Sequence, residues 1–293
     1  MAKKIEITST LHASNSCALK RKCHYCGFAV KTSPVGYYRL SEKTPEEMEG
    51  ILKTIEESGI RRVSISAGYG NFEKVYTAAR LTKEKTSLEV LVNVGGDLER
   101  WQIKELASLG VETVCCNLET VNERLFYRLK PDDNLQKRLK VCEWVKEEGI
   151  KLSSGPLVGL GESDEDRKRH IKILKSLEVD EVPVMGFRPY PGTPMENHPP
   201  APVELIVETF KEVVEKIPSA ERRTVPFPIV GFEGLRACLE AGANNVATVV
   251  PKNYPMEIKG VGTPRVGILE ELLPLLQSWG YTTNVRVGET QKV

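Results

Sequence analysis

No stretch of this chain is apolar over the roughly eighteen residues that a membrane-spanning helix needs. Its opening, "MAKKIEITST", has no apolar core of the kind that marks a secretory signal. Both absences lead us to expect a cytoplasmic protein with no membrane partner. Nor is there an excess of charge. Lys and Arg number 41 against 40 Asp and Glu, a net charge of +1, which argues against a nucleic-acid or polyanion binder. No G-x-G-x-x-G run follows the first β-type segment, which argues against a dinucleotide fold, and no low-complexity linker divides the chain. We expect one domain over residues 1–293. Cysteine is sparse and odd in number, seven in all. In a reducing compartment such thiols read as metal ligands or core residues rather than disulfides.

What the chain does contain is alternation. "KIEITST" (4–10), "RRVSIS" (61–66), "LEVLVN" (88–93), "VETVCCN" (111–117), "IKLSSGPLVG" (150–159), "VDEVPVMG" (179–186), "RRTVPFP" (222–228) and "NNVATVV" (244–250) are short and β-branched. Several are almost continuously apolar, as strands buried on both faces are. Charged segments of helical period lie between them. "TPEEMEGILKTIEESG" (44–59) has Thr44 as a candidate N-cap, Pro45 in the first turn and Gly59 as a stop. "SDEDRKRHIKILKSL" (163–177) opens with Ser163 and three acids. Further helical segments fall near 202–216, 231–241 and 265–279. Eight strand–helix units in this length predict a (β/α)8, TIM-type barrel, with functional residues on the loops after the strands.

The segment "NSCALKRKCHYCGF" (15–28) follows the first strand and sets Cys17, Cys23 and Cys26 in a C-x5-C-x2-C pattern. Three thiolates and His12 or His24 would make a four-ligand zinc site. Alternatively, the three would hold a [4Fe–4S] cluster, which ordinarily takes four cysteines, and leave one iron open to a small molecule. Cys115, Cys116, Cys142 and Cys238 lie inside strand or helix segments and read as core thiols.

The cysteine triad, with an aromatic residue (Tyr25) directly before its third member, resembles the radical S-adenosylmethionine (SAM) superfamily. The usual spacing there is C-x3-C-x2-C, from which this chain departs by two residues. The resemblance implies a [4Fe–4S] cluster on Cys17, Cys23 and Cys26, with SAM chelating the open iron through its amino and carboxylate groups. "SAGYGN" (66–71) stands where the family has a glycine-rich turn that meets the SAM amino group through backbone, here Gly68, Tyr69 and Gly70. The usual third residue is acidic, and Gly70 replaces it. "CCNLETVNERLF" (115–126) resembles the "NLDT" segment of biotin synthase, which implies a ribose contact at Glu119, with Asn117 beside it. "GIKLSSGPLVGLGESDEDR" (149–167) is similar to the biotin-synthase-like group as well. Arg138 stands at the family arginine that meets the SAM carboxylate, and Leu157 and Met185 fall at the adenine end. "PGTPMEN" (191–197) and "EAGANNV" (240–246) carry the similarity almost to the end of the chain.

Biotin synthase also holds a second, sacrificial cluster, and one of its ligand cysteines is Ser153 here. A hydroxyl is a poor iron–sulfur ligand, so sulfur insertion by that route is not expected. The five-residue first gap resembles the radical SAM maturases encoded with [Fe]-hydrogenase. That implies a 5′-deoxyadenosyl radical acting on a small molecule on the way to the pyridinol part of the iron–guanylylpyridinol cofactor. Other biotin-synthase-like substrates, a different hydrogenase maturation step and a non-catalytic iron–sulfur scaffold or carrier stay open. Such chemistry needs an external one-electron donor, a flavodoxin or ferredoxin. Lys20, Arg21 and Lys22 suit either its docking or a plain solvated loop.

Overall fold

A computed structural model of the chain describes residues 3–29, 42–255 and 267–285. Eight parallel strands close on themselves: β1 (Lys4–Ser14), β2 (Arg62–Ala67), β3 (Glu89–Asn93), β4 (Thr113–Cys115), β5 (Lys151–Ser153), β6 (Glu181–Pro183), β7 (Arg222–Pro226) and β8 (Asn245–Ala247), with β8 pairing back to β1. The register runs from His12 through Ser66, Asn93, Cys115, Ser153 and Glu181 to Arg222. Continued across β8, it returns to β1 eight residues earlier, at Lys4. That stagger is the shear of a TIM barrel, and the expected (β/α)8 architecture is the one observed.

Helices cover the outside: α1 (Pro45–Glu57), α2 (Phe72–Lys85), α3 (Arg100–Ser108), α4 (Glu123–Leu129), α5 (Leu135–Glu147), α6 (Asp164–Ser176), α7 (Val203–Lys216), α8 (Phe227–Glu240) and α9 (Leu269–Ser278). Their ends follow the sequence signals. Thr44 and Glu47 form a reciprocal capping box on α1, as Ser163 and Asp166 do on α6. Met48, Ile51, Leu52 and Ile55 make the buried stripe of α1 at helical spacing. α8 is kinked at Gly231, where the backbone leaves helical geometry.

Two features depart from the sequence reading. "IKLSSGPLVG" and "VDEVPVMG" are each two strands rather than one. Only Lys151–Ser153 and Glu181–Pro183 belong to the barrel, while Leu157–Val158 and Met185–Gly186 pair with each other beyond it. Pro156 and Pro183, each lacking a backbone N–H, mark where continuous pairing stops. The barrel interior is also polar where continuous apolar strands would have filled it with hydrocarbon. Arg62 Nη2 donates to Glu181 at 2.7 Å and to Thr113 at 3.2 Å. Thr224, Asn245 and Thr8 continue the chain of bonds from Glu181, at 2.7, 2.9 and 3.0 Å. This network fills the lower barrel, below the cavity at the C-terminal ends of the strands.

Candidate active site at the barrel mouth

The loop carrying the three cysteines leaves β1 and folds over that end. Its path is fixed by the turn after β2. Asn71 Nδ2 donates to the carbonyls of Ser16, Gly68 and Tyr69, each at 3.0 Å, and the Ala18 N–H donates to the Tyr69 carbonyl at 2.9 Å. A Cβ on Gly68 would stand 2.2 Å from the Ser16 carbonyl oxygen and 2.9 Å from Cys17 Cβ. Only glycine lets the two segments approach this closely. On the far side, His24 N–H bonds to the Leu129 carbonyl at 2.8 Å, and Met195, from "PGTPMEN", bonds to the His24 carbonyl at 3.2 Å.

Held in this way, Cys17, Cys23 and Cys26, each of intermediate exposure, line one cleft of about 260 Å³. The cleft also takes in Tyr25, Gly68, Tyr69, Glu119 and Arg138, so most of the expected site converges. Gly70 and Asn117 lie beside it and serve as struts. Gly70 N–H donates to Asp97 Oδ2 at 2.7 Å, and Asn117 Oδ1 accepts from Gly155 N–H at 3.1 Å. Asp97, from the loop after β3, thus brings a carboxylate to the back of this turn, outside the residues that line the cleft. Leu157 and Met185, partners in the short pair above the barrel, line an adjoining cavity of about 240 Å³ that shares Tyr25, Cys26 and Phe28 with the first.

A buried charge network that the sequence does not announce runs along the cleft. Lys130 Nζ reaches Glu119 Oε1 at 3.2 Å, Asp133 Oδ2 at 3.0 Å and the Tyr25 hydroxyl at 3.3 Å. Arg138 bonds Asp133 through Nε at 2.9 Å and Nη2 at 2.7 Å, and also contacts the Asn117 carbonyl and the Tyr69 hydroxyl. Gly96 leaves room for it, since a Cβ there would meet Arg138 Cγ at 2.3 Å. Burial alone would raise the Asp133 carboxyl, but the facing Arg138 and Lys130 charges hold it well below the usual carboxylate range. Burial pushes the Cys23 thiol up to about 12, against the downward pull of Lys130.

Three thiols on one cleft fit the cysteine ligation of a [4Fe–4S] cluster. Among the described residues, no three Cys, His, Asp or Glu side chains gather tightly enough to hold a single ion. In a cubane, each cysteine binds a different iron, so the thiolates stand a cluster's width apart. Glu119 adds a second indication of fit. Its Oε1 is taken by Lys130, while its Oε2 is buried with no partner, and a buried carboxylate oxygen calls for a donor. Its backbone, at φ +63°, lies in the left-handed region that a glutamate seldom adopts. Residues 12–174, more than half of the chain, match the Radical SAM superfamily model.

The chain belongs to the radical SAM superfamily. It is 49% identical over 280 residues to an uncharacterized protein of Methanocaldococcus jannaschii, covering 95% of this chain and 74% of that one. It is 30% identical over 278 residues to biotin synthase of Thermodesulfovibrio yellowstonii, covering 88% and 83%. The crystal structure of methylornithine synthase superposes with a TM-score of 0.82 at 19% identity, covering 96% of this chain and 83% of that one, and so speaks for the fold. No helix among the described residues is long and apolar enough to cross a membrane.

Lys130, Asp133 and Asn71 are the residues that sequence reasoning missed. Asn71 closes the quoted "SAGYGN", and Lys130 and Asp133 sit in "LKPDDN" just past α4. An Asn after a glycine turn and a Lys-Pro-Asp-Asp run both read locally as loop chemistry. The two cations nearest the second cysteine prove partly structural. Arg21 Nε pairs with Asp132 at 2.6 Å, and Lys22 bonds the Cys17 carbonyl.

Proposed function

We propose that this protein generates a 5′-deoxyadenosyl radical from SAM and uses it on a small molecule on the way to the pyridinol part of the [Fe]-hydrogenase cofactor. This is the role of the maturases called HcgA or HmdB. The observation that carries the radical chemistry is the meeting, in one cleft, of three half-buried thiols with the unpartnered oxygen of Glu119. The narrower role rests on the C-x5-C-x2-C spacing together with serine at position 153.

Cys17, Cys23 and Cys26 would hold three irons of a [4Fe–4S] cluster and leave the fourth for the SAM amino and carboxylate groups. When bound, the cluster supplies the electron that splits the SAM sulfonium into methionine and the adenosyl radical. Glu119 Oε2 accepts from a ribose hydroxyl, with Lys130 fixing the other oxygen. The turn at Gly68, Tyr69 and Gly70 flanks the amino group, and Asn117 braces the end of β4. Arg138 faces the SAM carboxylate, and that carboxylate competes with Asp133 for the guanidinium fork. Leu157, Met185 and Tyr25 pack at the adenosyl end and keep water from it. An acidic flavodoxin or ferredoxin supplies the electron at the exposed Lys20–Arg21 turn.

The test is anaerobic incubation of reconstituted, reduced protein with SAM and candidate pyridinol precursors deuterated at carbon. Deuterium passing into 5′-deoxyadenosine from a pyridinol precursor supports the reading. Abundant 5′-deoxyadenosine with no deuterium from any of them sinks the pathway and spares the radical chemistry.

A further inference from the structure

The second cavity contains a charge that the SAM contacts leave without a counterpart. Arg188 lies just past the Met185–Gly186 strand, half-buried, and is the one cation among the described residues that line this cavity. Its Nε and Nη2 both donate to a single acceptor, the Ile229 carbonyl, at 3.0 and 2.5 Å. No carboxylate among the described residues lies within ion-pair distance of it, whereas Arg62, Arg138 and Arg222 in the barrel each face one. Arg223 also bonds only carbonyls, those of Ala220 and Gly242. Those groups lie just past the C-terminal ends of α7 and α8, where the helix dipole is negative and favours a cation. Ile229 lies two residues before the Gly231 kink of α8, and its neutral carbonyl leaves the Arg188 charge without a counter-ion.

One edge of the Arg188 fork is thus occupied, while Nη1 has no partner among the described residues. The walls around it, Tyr25, Phe28, Leu157, Met185 and Phe187, are aromatic or apolar. A guanidinium on such a wall matches a carboxylate carried on a flat or aliphatic body. Adenine and ribose are uncharged, so the adenosyl end of SAM gives Arg188 nothing to neutralise. We propose that Arg188 anchors a carboxylate of the substrate, which makes the substrate a small organic acid. The assignment rests on the radical-enzyme reading for what shares the mouth, since Tyr25, Cys26 and Phe28 line both cavities.

The test uses anaerobically reconstituted holoprotein with SAM bound and two probes of nearly equal shape, phenylacetate and uncharged phenylacetamide. Their affinities are read by ligand-observed NMR. The wild type binds the acid about tenfold or more tighter than the amide, the scale of a charge-assisted hydrogen bond. Arg188→Met, which keeps the side chain's apolar length, abolishes that preference, and Arg188→Lys restores part of it. Equal affinities in the wild type overturn the proposal without any variant, so a poorly folding Arg188→Met does not shelter it. SAM affinity is measured in parallel. If Arg188→Met weakens SAM as much as phenylacetate, the anion is SAM's own carboxylate and the substrate assignment falls. Failure of the radical reading would show separately, as absent 5′-deoxyadenosine in wild-type protein with an intact acid-over-amide preference.

Discussion

Replacing Lys130 with methionine removes the charge that joins the two halves of the cleft. Lys130 is 4% exposed and lies between Glu119, 15% exposed, and Asp133, 2% exposed. Burial and the neighbouring Arg138 both oppose its charge. The Glu119 and Asp133 carboxylates outweigh them, and the amine stays protonated. Without it, Asp133 keeps Arg138 and Tyr69, but Glu119 is left with neither oxygen bonded. Breaking a buried pair from one side costs about 3–5 kcal/mol. The low end, about 3 kcal/mol, applies here, because Asp133 keeps partners and Glu119 is partly solvated. Urea unfolding of the metal-free protein, followed by circular dichroism, reads that loss. Because most of the loss is the stranded Glu119 carboxylate, the double variant Lys130→Met/Glu119→Gln should recover at least about 1 kcal/mol relative to the sum of the single changes. A Lys130→Met protein within about 1 kcal/mol of wild type, or strict additivity in the double variant, refutes the reasoning.

Gly68→Ala places a Cβ 2.2 Å from a backbone oxygen that cannot rotate away. It should cost about 1–3 kcal/mol and at least halve the iron retained after reconstitution. Gly50→Ala in α1, which meets nothing within 4 Å, should instead stabilise by about 0.5–1 kcal/mol with iron unchanged. Burial lowers His170 to about 3, so the folded state refuses a proton that the unfolded chain takes up below its ordinary pKa near 6.5. Stability should therefore fall by about 1.4 kcal/mol per pH unit from pH 6.5 down to 3 through this group. His170→Leu should flatten that part of the profile in pH-dependent urea titrations. Cys23→Ala should abolish the iron–sulfur absorbance, while Cys238→Ala, in the core of α8, should leave it intact.

The parts of the site that were legible in the sequence are those whose chemistry is local. C-x5-C-x2-C following a strand, a glycine turn after the next strand, and acid and arginine at spacings similar to biotin synthase led to residues that the fold brings into one cleft. What was not legible depends on partners distant in sequence. Lys130 acquires its meaning from Glu119 and Tyr25, and Asn71 from Ser16, contacts that only barrel closure creates. The fold reading failed in a similar place. An apolar run through Leu157 or Met185 looks like one strand, because periodicity does not report where a strand leaves the barrel and pairs elsewhere. The polar plug was overlooked because Thr8, Arg62 and Glu181, each unremarkable in its own strand, satisfy one another across the barrel.

The measurement that bears most directly on the central claim is the yield of 5′-deoxyadenosine when anaerobically reconstituted, reduced protein meets SAM, compared with a Cys17→Ala control. The account predicts 5′-deoxyadenosine and methionine in equal amounts from wild type and neither from the control. An iron-loaded wild-type protein that binds SAM yet forms no more 5′-deoxyadenosine than Cys17→Ala would contradict it and leave the barrel an iron–sulfur scaffold.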